Sequence, residues 1–232
     1  MIQEISLVHL SIALIPAFIA ISIIFLWSQN YRSALYGVAR MLTQLLMIGY
    51  FLTYIFTSNS AWIIILILAI MVSTSSWIAL RSIPNNRWEL YKYTFASILV
   101  GGGITLLLIT QGVLGIDPWY EPHYIIPLAG MIFSNAMNSV SLAAERFYAE
   151  KRHKANYQQA RSTAFQAALI PSINSLFAVG IVSLPGMMTG QILSGISPLI
   201  AVRYQIMVMS MLFGASTIAV ACFLILIKRV KY

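Results

Sequence analysis

The feature that most constrains this chain is a series of long apolar runs separated by short polar segments. A helix needs about 20 apolar residues to cross a bilayer. Only 9% of the residues are charged, against about 25% in a typical soluble domain. The sequence therefore predicts an all-α, polytopic transmembrane helix bundle of about seven spans. The predicted spans are Leu7–Trp27, Val38–Phe56, Trp62–Leu80, Tyr93–Leu114, Tyr124–Ala144, Thr163–Val182 and Tyr204–Ile227.

Basic residues occur in every second connection between these runs, which indicates orientation, because cytoplasmic connections are enriched in Lys and Arg. The connections 57–60 and 115–123 carry no Lys or Arg. We therefore expect the N-terminus outside and the C-terminus inside, in the cell's inner or plasma membrane, which requires an odd number of spans. The charges form no basic stripe, so no nucleic-acid partner is expected. The basic residues used are Arg32, Arg40, Arg81, Arg87, Lys92, Arg146, Lys151, Arg152, Lys154, Arg161, Lys228, Arg229 and Lys231.

The stretch from Ser162 to Val202 carries no charge and is punctuated by prolines. Ser197-Pro198 predicts a helix start, with serine as the N-cap and proline in the first turn, and Leu184-Pro185 predicts another. We interpret the stretch as a span followed by a broken or re-entrant piece. An ordinary extracellular loop with a short helix is the alternative, so the topology of residues 183–203 stays open. Arg203 is expected near the outer membrane surface or on a segment dipping into the bilayer.

Neutral polar residues are the candidates for a substrate path, because no acid or base lies well inside a predicted span. Asn135, Asn138 and Ser139 share one helix face, and Ser172 and Asn174 follow Pro171. They predict a polar path lining, with interhelical hydrogen bonding as the alternative. The scattered histidines and carboxylates favour neither a metal cluster nor catalysis, so the chain is not expected to be an enzyme.

Small residues and methionines give two further hypotheses. Gly186-Met-Met-Thr-Gly190 has the spacing typical of close helix packing or a dimer contact, and Gly101–Gly103 is a packing or hinge candidate. Met187 and Met188 are candidate soft-metal ligands, because thioethers suit Cu(I). Methionine also fills irregular apolar gaps, so the metal ligands remain unknown.

The chain shows no nucleotide-binding motif of its own, because it contains no GxxxxGK[ST] phosphate loop. No cofactor is expected on the chain itself. If ATP powers transport, its site belongs to a partner. The basic segment Glu145–Arg161 is the largest predicted inner surface for docking one.

Several motifs resemble the FetB (YbbM) family of ABC-transporter permeases, which includes bacterial iron exporters and plant relatives linked to aluminium tolerance. The strongest stretch is Val182-Ser-Leu-Pro-Gly-Met-Met-Thr-Gly190, and the similarity covers most of the chain. Two departures stand out. The family's Leu-Gly-Ala coupling motif is missing from Glu145–Ala167, and Asn174 occupies the position of a family aspartate. The other matching stretches are Ala168–Pro171, Tyr204–Val208, Arg40-x3-Gln44 with Gly49-Tyr50, Ala129–Ile132 and Asn135–Met137.

The resemblance implies a single permease domain, residues 1–232, that forms a homodimer, works with two copies of an ABC ATPase and exports a metal ion of the iron type. An ATPase-independent channel, carrier or scaffold is the alternative, motivated by the altered connection. A seven-helix receptor shares only the helix count. The predicted path residues are Asn135, Asn138, Ser172, Asn174, Pro185, Gly186, Met187, Met188 and Gly190. The predicted ATPase-docking residues are Glu145, Arg146, Lys151, Arg152, Tyr157 and Arg161.

Overall fold

The computed structural model describes residues 6–28, 31–57, 60–83 and 87–229, and the predicted all-α fold is confirmed there. No strand occurs in these ranges. Lys231, used to predict orientation, and residues 58–59 of one predicted connection lie outside them. The helices are α1 Leu7–Ala13, α2 Ile15–Ser28, α3 Tyr31–Phe56, α4 Ala61–Ala79, α5 Arg87–Leu107 with a π-helical turn Leu108–Val113, α6 Pro122–Arg152, α7 Tyr157–Ala178, α8 Gly186–Leu193, α9 Pro198–Leu226 and a 3₁₀ turn Ile227–Arg229.

Six stretches of the described chain are helical, long enough and apolar enough to cross a bilayer. They correspond to six of the seven predicted spans. The remaining one, Thr163–Val182, falls on α7, a helix of 22 residues. Its first half carries Gln158, Gln159, Arg161 and Gln166, which lower its apolar character. The helix also ends at Ala178, before the predicted boundary.

Two boundary predictions are wrong in an informative way. The last helix begins at Pro198 rather than Tyr204, with Ser197 at the N-cap and proline in the first turn as the Ser-Pro pair predicts. Arg203 therefore lies within α9. The segment Glu145–Arg161 is not a loop, because α6 continues to Arg152 and α7 starts at Tyr157. Only residues 153–156 are non-helical, so the segment is a helical hairpin.

The chain groups into two units, Met1–Ser58 and Asn59–Tyr232. In the first unit, α2 packs on α3, with the rings of Phe25 and Tyr31 edge to face at 5.0 Å. No described residue of α3 is buried, and Tyr50 is 84% exposed. Such apolar exposure is expected of a helix whose solvent is lipid.

The second unit is built around α5, α6 and α9, with α4 and α7 packed on α6. Gly101 permits the closest approach: a Cβ there would lie 2.6 Å from the Ala219 backbone nitrogen. At Gly102 a Cβ would lie 2.6 Å from the Phe133 ring. The packing role predicted for the glycine run is therefore confirmed at these two positions. The surrounding core is made of small and aliphatic side chains.

Candidate functional site

A cavity of about 310 Å³, with mostly apolar walls and a few polar groups, lies where α6, α7 and α9 meet the segment before α8. We call it the asparagine cavity. Asn135, Ser172 and Pro185, all predicted path residues, line it together with Ser175 and Met209. The structure thus brings together residues 50 positions apart in the sequence.

Local helix chemistry places these polar groups. Pro171 lies inside α7 and has no N–H to donate, which weakens the helix at that turn. The Ser175 hydroxyl donates to the Pro171 carbonyl at 2.9 Å. The Asn135 amide nitrogen donates to the Leu212 carbonyl of α9 at 3.2 Å. Asn135 therefore lines the cavity and also makes the interhelical hydrogen bond that was the alternative interpretation.

Six predicted path residues do not line this cavity: Asn138, Asn174, Gly186, Met187, Met188 and Gly190. Asn138 and Asn174 are both exposed. Ser139, which was predicted to share their polar face, is instead buried. Of the three polar residues on this part of α6, only Asn135 lines the cavity.

The short helix α8 fits both interpretations of residues 183–203, a broken or re-entrant piece and a loop with a short helix, and their topology stays open. It starts at Gly186, with Pro185 one position earlier at the N-cap. A Cβ at Gly186 or Gly190 would meet nothing within 4 Å, so the small-residue ridge packs against no described part of this chain. A contact with a second copy stays a prediction.

Consecutive methionines of α8 line different cavities. Met187 lines a cavity of about 750 Å³ together with Met131 and Met207. Met188 lines another of about 340 Å³ together with Met209 and Gln205. Met209 also borders the asparagine cavity, so these two spaces adjoin.

Gln205 is the functional candidate that the sequence reasoning missed. Its side chain is 5% exposed, and neither atom of its amide group has a hydrogen-bond partner among the described residues. Most buried polar groups are hydrogen-bonded, so an orphan amide requires an explanation. The available signal was a glutamine in an otherwise apolar helix, two positions after the conspicuous Arg203.

The predicted docking residues lie on the α6–α7 hairpin. Arg146 pairs with Glu150 at 2.7 Å. Lys151 donates to the Ala155 carbonyl at 3.3 Å, and Asn156 caps α7 by accepting from the Gln159 N–H at 2.8 Å. The hairpin thus holds its shape through its own contacts. Four of the predicted docking residues are exposed: Glu145, Arg146, Arg152 and Arg161.

Tyr157 anchors this hairpin through contacts with α6 and α9. Its hydroxyl donates to the Leu224 carbonyl at 2.8 Å, and its ring lies 6.0 Å from that of Phe147. The Lys228 ammonium lies 5.7 Å from the same ring. The end of α9 and the hairpin therefore occupy the same end of the bundle, as the predicted topology requires. Arg203 lies about 32 Å from Leu224 along α9, at a rise of 1.5 Å per residue.

No group of three or more His, Cys, Asp or Glu side chains that could hold a metal ion occurs in the described part of the chain. The polar and sulfur groups that line the cavities are amides, hydroxyls, thioethers and the imidazole of His123.

The helices are apolar and largely exposed, and small cavities with some polar groups lie between them. These features define a multi-pass helical membrane protein. Residues 8–232 match the model of the uncharacterised protein family UPF0014. The chain belongs to this family, as the resemblance noted from its motifs implied.

Named relatives cover most of this chain. It is 35% identical over 211 residues to "Probable iron export permease protein FetB" of Escherichia coli K12, covering 83% of this chain and 80% of that protein. It is 34% identical over 223 residues to "Protein ALUMINUM SENSITIVE 3" of Arabidopsis thaliana, covering 87% and 79%. A Synechocystis UPF0014 membrane protein is 34% identical over 203 residues, covering 80% and 77%. No solved structure matches.

Proposed function

We propose that this chain is the membrane-spanning permease subunit of an ABC transporter that exports a metal ion of the iron type. The observation that carries the proposal is the asparagine cavity, a mostly apolar space between helices that contains the polar groups of Asn135 and Ser172, in a relative of a protein named as an iron export permease. ATP is bound and hydrolysed by a separate ATPase subunit. Two copies of this chain work with two copies of that ATPase in the inner or plasma membrane, with the N-terminus outside.

The proposed path starts from the asparagine cavity and continues along α8. Asn135 and Ser172 offer neutral polar groups beside Pro185, Met188 lines the adjoining cavity, and Met187 lines a third cavity. Gly186 and Gly190 leave the adjoining surface of α8 open for a second copy. The exposed Asn138 and Asn174 join the path only if that second copy covers them.

Alternating access requires an element that can move, and α8 has the connections for it. Gly180 before it and Gly195 after it adopt φ values of +84° and +90°, a region that favours glycine. Glycine can change its backbone angles there at little cost, so α8 is able to shift between the two membrane faces while α7 and α9 stay packed.

The α6–α7 hairpin is the proposed ATPase-docking surface. Its exposed charges lie beside an anchor, Tyr157, that bonds to α9. A push on the hairpin is therefore transmitted to the helix that lines three of the cavities. Glu145, Arg146, Lys151, Arg152, Tyr157 and Arg161 form the proposed contact.

Co-purification tests this proposal. The tagged chain is expected to retain an ATPase whose activity rises when the transported ion is added, and cells lacking the chain should accumulate that ion. Reversing charge at Arg152 and Arg161 should abolish ATPase retention. Arg203→Glu, an exposed arginine toward the other end of α9, is the matched control and should retain it.

An ATPase-independent channel, carrier or scaffold is the second candidate function. The missing Leu-Gly-Ala motif in the hairpin favours it. It predicts ion flux through vesicles that contain this chain alone, unchanged by ATP and by the Arg152 and Arg161 variants. If vesicles that contain this chain alone show no ion flux, the result supports the ABC permease instead.

A further inference from the structure

Basic residues beside the α4–α5 connection carry an inference that goes beyond the proposed function and does not depend on it. We infer that Arg81 and Arg87 bind the phosphate of an anionic phospholipid headgroup, in the leaflet on the predicted inner side, with the Trp88 indole beside it. Arg81 follows α4, and Arg87 and Trp88 are the first residues of α5. We call these three residues the arginine patch.

Contacts with Trp77 hold the Arg87 guanidinium in place before any ligand arrives. The group lies over the Trp77 ring, 3.6 Å from its centre, and its Nη2 donates to the Trp77 carbonyl. Its Nε is enclosed and therefore contributes nothing to binding. Its Nη1 is not enclosed and makes no hydrogen bond to a described residue. A guanidinium that is already held, with a donor still available, loses little side-chain entropy on binding.

Positive charge in the patch is not balanced by a carboxylate. Arg81 is exposed and lies close enough to Arg87 for the two guanidinium groups to repel each other. Neither forms an ion pair in the described part of the chain. Glu89 and Lys92, both exposed, lie three residues apart on α5 and offset each other's charge. The two arginines are therefore the local surplus of positive charge, and an anion between them would relieve their repulsion.

Depth in the bilayer identifies the anion as a lipid headgroup. Gly101 lies near the centre of the apolar stretch Arg87–Val113, which has 27 residues. Arg87 precedes Gly101 by about 21 Å along the helix, at 1.5 Å per residue. A bilayer with its headgroups is about 40–45 Å thick, so its polar surface lies about 20–22 Å from its centre. The arginine patch therefore lies at the level of the lipid phosphates when α5 spans the bilayer symmetrically.

The side chains of the patch match the chemistry of a phospholipid headgroup. Guanidinium groups offer parallel N–H donors that fit phosphate oxygens. Trp88 is 79% exposed, and its ring lies 4.8 Å from that of Trp77. Tryptophan is enriched where lipid headgroups meet hydrocarbon. An exposed tryptophan next to an available guanidinium donor thus suits the boundary between a phosphate and its acyl chains, whereas a soluble anion would gain nothing from the ring.

Native mass spectrometry tests the inference without an ATPase or a transport step. The full chain, purified in a nonionic detergent, is incubated with equal amounts of phosphatidylglycerol and phosphatidylcholine, and the lipids retained per protein are counted. No charged membrane surface surrounds the protein in detergent, so direct contact decides which lipid is retained. Wild type should prefer phosphatidylglycerol by about tenfold or more, from two basic residues. An excess of inorganic phosphate should not reduce this preference.

Three variants separate a phosphate site from general attraction to positive charge. Arg81→Gln should lower the preference about fivefold, because one of the two guanidinium groups is lost. Arg87→Lys keeps the charge but loses the planar fork, and should lower it about threefold. Arg32→Gln is the matched control, because it also removes an exposed arginine from the predicted inner side, beside Tyr31 at the start of α3. It should leave the preference unchanged.

Several results would overturn the inference. An equal effect of Arg32→Gln would show general attraction to positive charge. The same holds if wild type has no preference, or if neither Arg81→Gln nor Arg87→Lys lowers it. Loss of the preference in inorganic phosphate would mean that the patch takes a free anion. If Arg81→Gln keeps the lipid but loses the ATPase, the patch is a protein contact instead. Failure of ATPase co-purification by wild type bears on the proposed function alone, because the lipid assay contains no ATPase.

Discussion

The two halves of α9 are packed in opposite ways. Its C-terminal half lies so close to α5 that the backbone of Ala219 leaves no space for a side chain at Gly101. Its N-terminal half borders three cavities and holds an amide group without partners among the described residues. The C-terminal half is closely packed, whereas the N-terminal half borders open cavities. This difference indicates that movement and binding belong to the N-terminal half, which is nearest α8.

The comparison predicts its largest effect at the close crossing. Gly101→Ala would place a Cβ 2.6 Å from the Ala219 nitrogen and 2.9 Å from the Ala215 carbonyl oxygen. Because backbone cannot yield as a flexible side chain can, we expect a destabilisation of about 1–3 kcal/mol. The melting temperature of the purified protein measures it.

Gly103→Ala is the matched control for this substitution. Its nearest neighbour would be a Leu99 methyl carbon at 3.9 Å, an ordinary contact. Helix propensity then dominates, and alanine is favoured over glycine by about 1 kcal/mol. If the two variants melt alike, the contrast between close and open packing in this bundle fails.

Tyr157→Phe tests the anchor at the tightly packed end. It removes the hydroxyl that donates to the Leu224 carbonyl at 2.8 Å but keeps the ring against Phe147. The expected loss of stability is about 0.5–1.5 kcal/mol. Coupling should weaken too, seen as a smaller rise of ATPase activity on adding the ion.

Tyr50→Phe is the control for the loss of a phenol hydroxyl. This side chain is 84% exposed on α3, and its removal should leave both stability and ATPase activity unchanged. A decrease in coupling as large as that of Tyr157→Phe would contradict the anchor role.

Asn135→Ala probes the open half, where polar contacts are few. The lost bond to the Leu212 carbonyl should cost about 0.6 kcal/mol, typical of interhelical hydrogen bonds in membranes. Transport should fall by much more than this small destabilisation accounts for, because the same amide lines the path. Asn138→Ala, on an exposed position of the same helix, should change stability less.

Sequence patterns predicted the fold because a lipid environment allows few backbone structures. Every backbone group in hydrocarbon must be satisfied within a helix, so apolar length alone located six of the helices. The ends of the helices were less predictable. Charged residues such as Glu145 and Arg152 mark where a helix leaves the membrane, but α6 continues past that point, since its hydrogen bonds do not depend on lipid.

The site was predicted only in part, for a physical reason. Asn135, Ser172 and Pro185 were found because polar and proline residues are rare in apolar runs. Their convergence, and the isolation of Asn138 and Asn174, depend on which helices pack together, which spacing along one helix cannot reveal. Gln205 was missed because burial without a partner is a property of tertiary structure alone.

The smallest effect is expected for the ion pair on the hairpin, and it tests what holds the tightly packed end together. Arg146 and Glu150 lie one turn apart on α6, 2.7 Å from each other, and the Arg146 side chain is 50% exposed. Exposed pairs at this spacing contribute about 0.3–0.5 kcal/mol and are screened by salt. Glu150→Gln should therefore lower stability by no more than this, and the difference from wild type should disappear in 1 M salt, where the screening length is about 3 Å. Thermal unfolding at low and high salt measures both values. If Glu150→Gln lowered stability as much as Gly101→Ala, charge would hold this end of the bundle rather than close apolar packing and the Tyr157 bond. The contrast between the two halves of α9 would then need another cause.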